Sequence, residues 1–314
     1  MDRLLISRAL PDSVMDAARD RFDVTCRDTT QPMDLAECRA ALADYDVILP
    51  TLGDAFTSEA FTGPIRAKGL ANFGVGYNHI AVDAARAAGL AVTNTPGAVT
   101  DATADIALTL ILMTARRAGE GERLVRAGEW QGWHPIQMLG MHVSGKTLGV
   151  IGMGRIGQAI AHRCHHGFGM EVVFHNRSTK DIAGARQLPS VAEVCAAADM
   201  VVVAVPATPE TVHIIDAQAL AAMQPHAILV NIARGDVVDE TALIAALQAR
   251  QIGGAGLDVY EQEPHVPEAL RALDTVTLLP HLGTAALEVR EDMGRMALAN
   301  VVAIAERREP PNPV

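Results

Sequence analysis

The sequence has few aromatic residues, few cysteines and fewer cations than anions. Aromatic residues make up 4 % of its 314 residues. Its four cysteines, Cys26, Cys38, Cys164 and Cys195, form no CxxC pair, so we expect free thiols in a reducing cytoplasm. With 26 basic and 37 acidic side chains, the formal net charge is -11. This balance argues against nucleic acid or an anionic membrane surface as the main partner.

Long apolar segments are also missing. The best apolar run, residues 106–115, is flanked by Asp105 and Arg116 and is too short to span a bilayer. The first ten residues hold neither a long apolar core nor a small-residue cleavage site, so we expect no signal peptide. A group of His162, Cys164, His165 and His166 suggests a metal site, but no second ligand cluster lies near it in sequence. We therefore expect no bound metal.

Apolar residues make up 49 % of the chain, and strand and helix patterns alternate along it. The expected strands are residues 3–7, 24–27, 47–50, 70–73, 91–94, 148–151, 171–175, 200–204, 227–231, 254–258 and 276–279. The expected helices are residues 11–21, 34–43, 82–88, 101–118, 155–165, 191–197, 240–249 and 286–307, with a second helix after residue 118. This alternation predicts the α/β class, with two Rossmann-like, doubly wound parallel-sheet domains. We place one domain at residues 1–98 and 286–314, and the other at residues 99–285.

Gly152, Gly154 and Gly157 have GxGxxG spacing between an apolar strand and a helix. In that context the first glycine permits a tight turn, the second lets backbone approach a pyrophosphate, and the third lets the helix pack closely on the strand. The start of the helix then offers free N–H groups to phosphates. The loop therefore predicts dinucleotide binding, although glycines also mark ordinary turns.

The end of the following strand indicates which dinucleotide is bound. NAD enzymes usually carry Asp or Glu there to bind the ribose hydroxyls, whereas this chain has Asn176, followed by Arg177, Ser178, Thr179 and Lys180. These cations and hydroxyls would attract a 2′-phosphate. We therefore expect NADP(H) to be preferred, with NAD(H) possible; the alternative is an ordinary polar loop.

Polar residues follow three later apolar segments, where open α/β sheets bind ligands. Arg234 follows one strand, Asp258 and Glu263 follow the next, and His281 follows the third. The Arg234 guanidinium can pair with the carboxylate of a 2-keto acid, and His281 is suited to protonate the oxygen formed by hydride addition. Glu263 would hydrogen-bond the imidazole and hold it protonated. Taken singly, each side chain is more often an ordinary surface residue.

These segments and the glycine loop resemble the D-isomer-specific 2-hydroxyacid dehydrogenase family. The resemblance runs from about residue 46 to residue 301 and includes residues 72–78, residues 94–97 and the three polar segments in order. Residues 128–133, the Met- and Leu-rich loop after them, and Asn176-Arg177 are most similar to glyoxylate/hydroxypyruvate reductases. One departure is Asp105, where the family often has Glu, and we expect a shorter structural contact there.

The resemblance implies a flavodoxin-like substrate domain, a Rossmann cofactor domain, an active site in the cleft between them, and a homodimer formed through residues 105–143. It also implies that Asp258 meets the carboxamide of the cofactor. Further cofactor-binding residues are expected at Arg155, Ile156, Pro206, Thr211, Ala233, Gly283 and Thr103. Expected substrate-binding residues are Leu52, the backbone N–H groups of Val75 and Gly76, Arg234 and His281. Trp133 is either a core residue or part of a neighbouring subunit's substrate pocket.

The favoured function is NADPH-dependent reduction of glyoxylate or hydroxypyruvate to D-2-hydroxy acids, with His281 as proton donor. A dehydrogenase for a bulkier D-2-hydroxy acid remains open, because the pocket size is not readable from sequence. A non-enzymatic, cofactor-sensing protein is a second class, but the chain lacks the basic patches and disordered tails that such a role favours. An S-adenosylmethionine site would leave Arg234, Glu263 and His281 unexplained.

Overall fold

The computed structural model describes residues 1–314, which form two compact units. Unit 1 consists of Met1–Val99 and Thr284–Val314, and unit 2 of Thr100–Gly283. Each unit has its own parallel sheet and its own apolar core.

Unit 1 is a five-stranded parallel sheet covered by helices on both faces, with strand order β2-β1-β3-β4-β5. This is the flavodoxin-like order. Its elements are β1 (Arg3–Ile6), α1 (Asp12–Arg19), β2 (Asp23–Cys26), α2 (Leu35–Asp44), β3 (Val47–Leu49), β4 (Gly69–Ala71), α3 (Val82–Ala87), β5 (Ala91–Thr93) and, from the end of the chain, α11 (Leu287–Ala305). Alternate residues of β1 serve the two faces: Leu4 and Ile6 pack with α1 and α11, and Leu5 packs with α2.

Unit 2 is a seven-stranded parallel sheet with strand order β12-β11-β10-β9-β6-β7-β8. Its strands are β6 (Thr147–Ile151), β7 (Glu171–His175), β8 (Ala185–Gln187), β9 (Met200–Val203), β10 (Ile228–Asn231), β11 (Gly254–Leu257) and β12 (Val276–Leu278). Its helices are α4 (Thr100–Ala115), α5 (Ala118–Arg126), α6 (Arg155–Phe168), α7 (Val191–Ala197), α8 (Ala217–Ala222), α9 (Glu240–Gln248) and α10 (Glu268–Arg271). The chain runs outward from the central β6 in one direction and then from β9 in the other, which is the doubly wound arrangement.

The central strand β9 shows why these segments form a parallel sheet. All four of its residues are fully buried, because helices cover both faces of the sheet. Met200 and Val202 pack on the side of α4 and α6, whereas Val201 and Val203 pack on the side of α7 and α8. The predicted α/β class and the two parallel-sheet domains are therefore confirmed.

The structure corrects several predicted boundaries. The helix predicted to continue to residue 118 ends at Ala115, because Arg117 adopts a left-handed conformation (φ 54°) before α5 begins. Among the strands and α-helices, three short ones were not predicted: β8, α8 and α10. The edge strand β8 has only three residues and none is fully buried, so it lacks the apolar pattern by which strands are found.

None of the helices combines the length and apolar character that crossing a bilayer requires. All four cysteines are free thiols. On α6 the rings of His162 and His166 lie 4.5 Å apart, centroid to centroid, but no group of three or more His, Cys, Asp or Glu side chains is arranged to hold a metal ion.

Candidate active site

The polar residues singled out in unit 2 lie at one edge of its sheet. In a parallel sheet all strands end at the same edge, and here the loops after β6, β7, β9, β10, β11 and β12 meet there. The strand order reverses between β6 and β9, and ligands of open α/β sheets bind in the crevice at such a point.

The glycine loop after β6 has the geometry that a pyrophosphate needs. Gly152 has φ +99°, and a Cβ there would lie 2.7 Å from the Ala204 carbonyl oxygen. A Cβ on Gly157 would lie 2.1 Å from the Gly152 oxygen, so glycine alone allows α6 to sit against this turn. Gly154 borders open space, and no side chain caps the start of α6. The residues present therefore fit a dinucleotide cofactor.

The first turn of α6 and the turn after β9 also lie at this edge. The first turn of α6 begins with the exposed Arg155 and the half-buried Ile156. After β9, the Thr211 hydroxyl donates to the Pro206 carbonyl at 2.7 Å and so closes a compact turn. The Glu210 carboxyl accepts hydrogen bonds from the Thr208 side chain and from backbone, and these bonds with the nearby Arg177 charge lower its pKa.

Asn176 joins the loop after β7 to the glycine loop. Its side-chain oxygen accepts from the Met153 backbone N–H at 3.2 Å, and its Nδ2 donates to the carbonyl oxygen and hydroxyl of Ser178 at 2.9 and 3.1 Å. Arg177 and Ser178 are exposed at the tip of the loop. The loop presents no carboxylate at the position where NAD enzymes usually have one.

Arg234 is held in a tight turn after β10. The buried Asn231 side chain brackets this turn, donating to the Arg234 carbonyl at 2.8 Å and accepting from the Ala233 N–H at 3.0 Å. One guanidinium nitrogen of Arg234 donates to the Ala233 carbonyl at 2.7 Å, while its buried Nε has no partner. Burial lowers the pKa of Arg234, and the charges of Glu263 and Asp236 oppose that shift. The side chain therefore keeps an unused donor beside these carboxylates.

His281 and Glu263 form the central pair of the site. His281 Nδ1 lies 2.8 Å from Glu263 Oε2, and both side chains are about 30 % exposed. The other Glu263 oxygen accepts from the Tyr260 N–H at 3.1 Å. Burial alone would raise the pKa of Glu263, but the hydrogen bond and charge of His281, the Tyr260 N–H and the charge of Arg234 outweigh it and lower the pKa. The imidazole is thus tied through Nδ1, whereas Nε2 makes no hydrogen bond within the chain.

The His281 backbone is fixed by Asp258, which is 1 % exposed. Asp258 Oδ1 and Oδ2 accept from the N–H groups of Leu282 and Gly283 at 2.6 and 2.8 Å, and the Asp258 carbonyl accepts from the His281 N–H at 3.0 Å. These bonds hold His281 in a left-handed conformation (φ 56°). Burial raises the pKa of Asp258 despite these hydrogen bonds and the His281 charge. Thr103 on α4 donates to the Gly283 carbonyl at 3.2 Å.

Sequence reasoning assigned no role to Asn231, Gly235 or Tyr260, which support this site. A Cβ on Gly235 would lie about 2 Å from the Tyr260 carbonyl group, so glycine lets the Arg234 turn pack against the loop that carries Glu263. The Tyr260 hydroxyl donates to the Leu279 carbonyl at 2.8 Å and links the ends of β11 and β12. A buried polar residue at a strand end, as at Asn231, was the available signal.

In unit 1 the loop after β4 is organised around the fully buried Asn72. Its Nδ2 donates to the Gly74 and Gly76 carbonyls at 3.1 and 3.0 Å, and Asn94 donates to the Val75 carbonyl at 2.9 Å. The carbonyls are thus used internally, while the N–H groups of Val75 and Gly76 make no hydrogen bond within the chain. At the same edge of that sheet the half-buried Leu52 is held through its carbonyl by Arg8 at 2.8 Å.

Trp133 lies in the segment after α5, with its side chain 79 % exposed. It lines a cavity of about 480 Å³ with Leu124, His134 and Gln137 in unit 2. Two environments were predicted for Trp133, and the structure shows that it is not a core residue of this chain.

Asp105 on α4 makes a surface ion pair with Arg163 on α6, at 3.0 Å.

The comparisons with known proteins identify the family of this chain. The family described as D-isomer specific 2-hydroxyacid dehydrogenase, NAD binding domain, matches residues 108–283, which is more than half of the chain. The chain belongs to the D-isomer-specific 2-hydroxyacid dehydrogenases. Membership of this dehydrogenase family makes the protein an oxidoreductase with a nicotinamide cofactor, and the predicted resemblance is confirmed.

Individual proteins match this chain over nearly its full length. A glyoxylate reductase of Thermococcus onnurineus is 41 % identical over 317 residues, covering 98 % of this chain and 94 % of that protein. A crystal structure of a Thermus thermophilus protein matches with TM-score 0.93 and 41 % identity over 99 % of both chains. An NADPH-dependent glyoxylate/hydroxypyruvate reductase from Sinorhizobium meliloti, in complex with NADP and malonate, matches with TM-score 0.90 and 34 % identity over 100 % of this chain and 96 % of that one.

The lowered pKa of Glu263 predicts a pH-dependent contribution to stability. A depressed carboxyl pKa stabilises the folded state above the ordinary glutamate value, about 4.3, and this contribution is lost as pH falls through the lowered value. The free energy of unfolding lost in Glu263→Gln, measured by urea titration, should therefore shrink between pH 7 and pH values below about 4. Glu268→Gln, an exposed carboxyl without a hydrogen bond, is the control. A pH-independent loss in Glu263→Gln would contradict this prediction.

Proposed function

We propose that this dehydrogenase uses NADPH to reduce small 2-keto acids, with glyoxylate and hydroxypyruvate as the preferred class, to D-2-hydroxy acids. The observation that carries the proposal is the 2.8 Å contact between His281 and Glu263, at the sheet edge that also bears Arg234 and the glycine loop. The glyoxylate reductases among its relatives support this choice of substrate.

Arg234 would bind the carboxylate of the substrate. A guanidinium forms paired, charge-assisted hydrogen bonds with a carboxylate, and the buried Nε of Arg234 lacks any partner in the chain. Burial lowers the pKa of Arg234, so an anionic ligand would offset part of the cost of keeping this cation away from water. In an acidic protein, this concentrates positive charge where the anion binds.

His281 would donate the proton. A nicotinamide, when bound, supplies the hydride, and the carbonyl oxygen of the substrate then needs a proton near neutral pH. The Glu263 carboxylate lies 2.8 Å from one ring nitrogen, so the other nitrogen can face the oxygen. In the reverse direction the same nitrogen would accept the proton.

The cofactor would be held by the loops at the edge of the unit 2 sheet. Gly152, Gly154, Gly157 and the N–H groups of Arg155 and Ile156 would bind the pyrophosphate, because the start of α6 has no side-chain cap. Asp258 would meet the carboxamide, since an ionised carboxylate accepts about four hydrogen bonds and two of these sites are already used. The turns bearing Pro206, Thr211, Ala233 and Gly283, together with Thr103 on α4, would complete this site.

Preference for NADP over NAD would come from the loop after β7. Asn176 provides no carboxylate to repel a 2′-phosphate, and Arg177 and Ser178 are exposed at the tip. For the substrate, we propose contacts with the N–H groups of Val75 and Gly76, which are unused within unit 1, and with the Leu52 side chain.

We also propose a homodimer in which Trp133 closes the substrate pocket of the neighbouring subunit. Large apolar side chains are exposed together on α5 and the segment after it: Val125, Trp130, Trp133, Ile136 and Leu139. Exposed apolar clusters of this kind typically mark interfaces. The free thiols also fit the predicted reducing cytoplasm.

Two other functions remain distinguishable by assay. A dehydrogenase for a bulkier D-2-hydroxy acid would turn over larger 2-keto acids faster than glyoxylate. A cofactor-sensing protein would bind NADPH without consuming it with any small 2-keto acid. A panel of 2-keto acids, measured with NADPH and NADH in parallel, separates these functions.

Replacing His281 tests the proton donor. His281→Gln should lower kcat about 10²- to 10⁴-fold, the usual contribution of a general acid, with little change in the Kd for NADPH. His226→Gln is the matched control, because His226 forms a similar 2.6 Å pair with Asp199 at the amino-terminal ends of the strands. Steady-state kinetics and fluorescence titration provide the two readouts. Near-normal turnover in His281→Gln would refute the assignment.

Replacing Arg177 tests cofactor selection. Arg177→Ala should raise the KM for NADPH about tenfold or more, which corresponds to one lost charge-assisted hydrogen bond, and should leave the KM for NADH nearly unchanged. Arg186→Ala on β8 removes an exposed cation nearby and serves as the control. Equal changes with both cofactors would rule out phosphate binding by Arg177.

A charge placed in the apolar cluster tests the dimer. Ile136→Glu should shift the protein from dimer to monomer in sedimentation velocity, because a carboxylate would be buried without a partner. Leu287→Glu, at an exposed leucine outside the cluster, should leave the dimer intact. A monomeric wild type at micromolar concentration would contradict the proposal.

A further inference from the structure

The loop proposed to select the cofactor is held from behind by Gln187, the last residue of β8. Gln187 Nε2 donates to the carbonyl oxygens of Asn176 and Ser178 at 3.0 and 3.3 Å. Its Oε1 accepts from the Lys180 N–H at 2.9 Å. One side chain thus binds both ends and the middle of residues 176–180, a segment without helix or strand.

The Asn176 side chain completes this framework and leaves a specific donor unused. Its Nδ2 donates to the Ser178 hydroxyl oxygen at 3.1 Å. A hydroxyl has one donor and can accept further hydrogen bonds. Because Ser178 acts as acceptor toward Asn176, its own O–H remains available to an external oxygen next to the exposed Arg177.

The register of the sheet explains why Gln187 can reach this loop. Gln187 pairs with Phe174 of β7, and Phe174 is two residues before Asn176. Gln187 therefore lies beside the end of β7. The Leu188 N–H donates to the Phe174 carbonyl at 2.7 Å, and the Leu188 carbonyl lies 3.3 Å from His175 Nδ1. The edge strand therefore fixes the distance between Gln187 and the loop.

We propose that Gln187 is a positioning residue for cofactor specificity. It holds residues 176–180 in the conformation in which Arg177 and Ser178 can donate hydrogen bonds to the 2′-phosphate. This inference rests on the proposed preference for NADPH. A flexible loop loses conformational entropy when it binds a ligand, whereas a loop that is already ordered does not. Less of the free energy gained from the phosphate contacts is then spent on ordering the loop. NADH has no such phosphate and gains little from this order.

The first test compares the two cofactors. Gln187→Met keeps the side-chain length and removes all three hydrogen bonds. The ratio of kcat/KM for NADPH to that for NADH should fall about tenfold, mainly through the KM for NADPH, with kcat nearly unchanged. Gln224→Met is the matched control, because Gln224 makes a single bond, to the Ala196 carbonyl, away from this loop. An equal loss with both cofactors would indicate a merely structural role and overturn the inference.

A mutant cycle tests the route through Arg177 and Ser178. If Gln187 acts by positioning these two residues, most of its effect on the cofactor ratio should disappear in the background that carries Arg177→Ala and Ser178→Ala. The same tenfold effect in both backgrounds would overturn the inference. Should Gln187→Met fail to fold, Gln187→Asn, whose amide is too short to reach the loop, is measured in its place.

The two proposals fail in different ways. A wild-type enzyme without preference for NADPH would refute the proposed cofactor, whatever the variants do. A wild-type enzyme that prefers NADPH, with an unchanged ratio in Gln187→Met, would refute only the role of Gln187.

Discussion

The backbone hydrogen bonds accepted by Asp258 are the constraint on which the candidate site depends. Asp258 follows β11 and His281 follows β12, so the two residues belong to different loops. Hydrogen bonds between the loops are needed to fix one against the other. The buried carboxylate binds the Leu282 and Gly283 N–H groups and so fixes the turn that presents the imidazole. On this held turn, His281 Nδ1 lies 2.8 Å from Glu263 Oε2. A buried carboxylate thereby fixes the turn that carries the imidazole.

The same edge also shows how an acidic protein can receive an anion. The formal net charge is -11, yet Arg234 carries an unpaired Nε in a largely buried position. The charges of Glu263 and Asp236 favour its protonated form without bonding to that nitrogen. Local arrangement, and not overall composition, therefore sets the sign of the potential that a small carboxylate would meet.

Much of this architecture could be predicted, because its signals are local. The apolar strands and the spacing of Gly152, Gly154 and Gly157 indicate the doubly wound fold, since parallel strands buried on both faces are continuously apolar. The roles of Asn231, Gly235 and Tyr260 could not be predicted, because each depends on contacts between loops that follow different strands. A sequence shows a polar residue at the end of an apolar strand, but it does not show which group that residue binds.

In the loop after β7, some features could likewise be predicted from local sequence, whereas others depend on a distant segment. Asn176 and Arg177 follow a readily predicted strand, so their bearing on the cofactor can be argued from the sequence alone. The shape of that loop depends on Gln187, which lies on an edge strand of three residues without a recognisable pattern. Exposed cations bind a phosphate more tightly when their backbone is already ordered, because less conformational entropy is lost on binding. A residue that touches no ligand can therefore influence selectivity, and its position is defined by the register of β8 against β7.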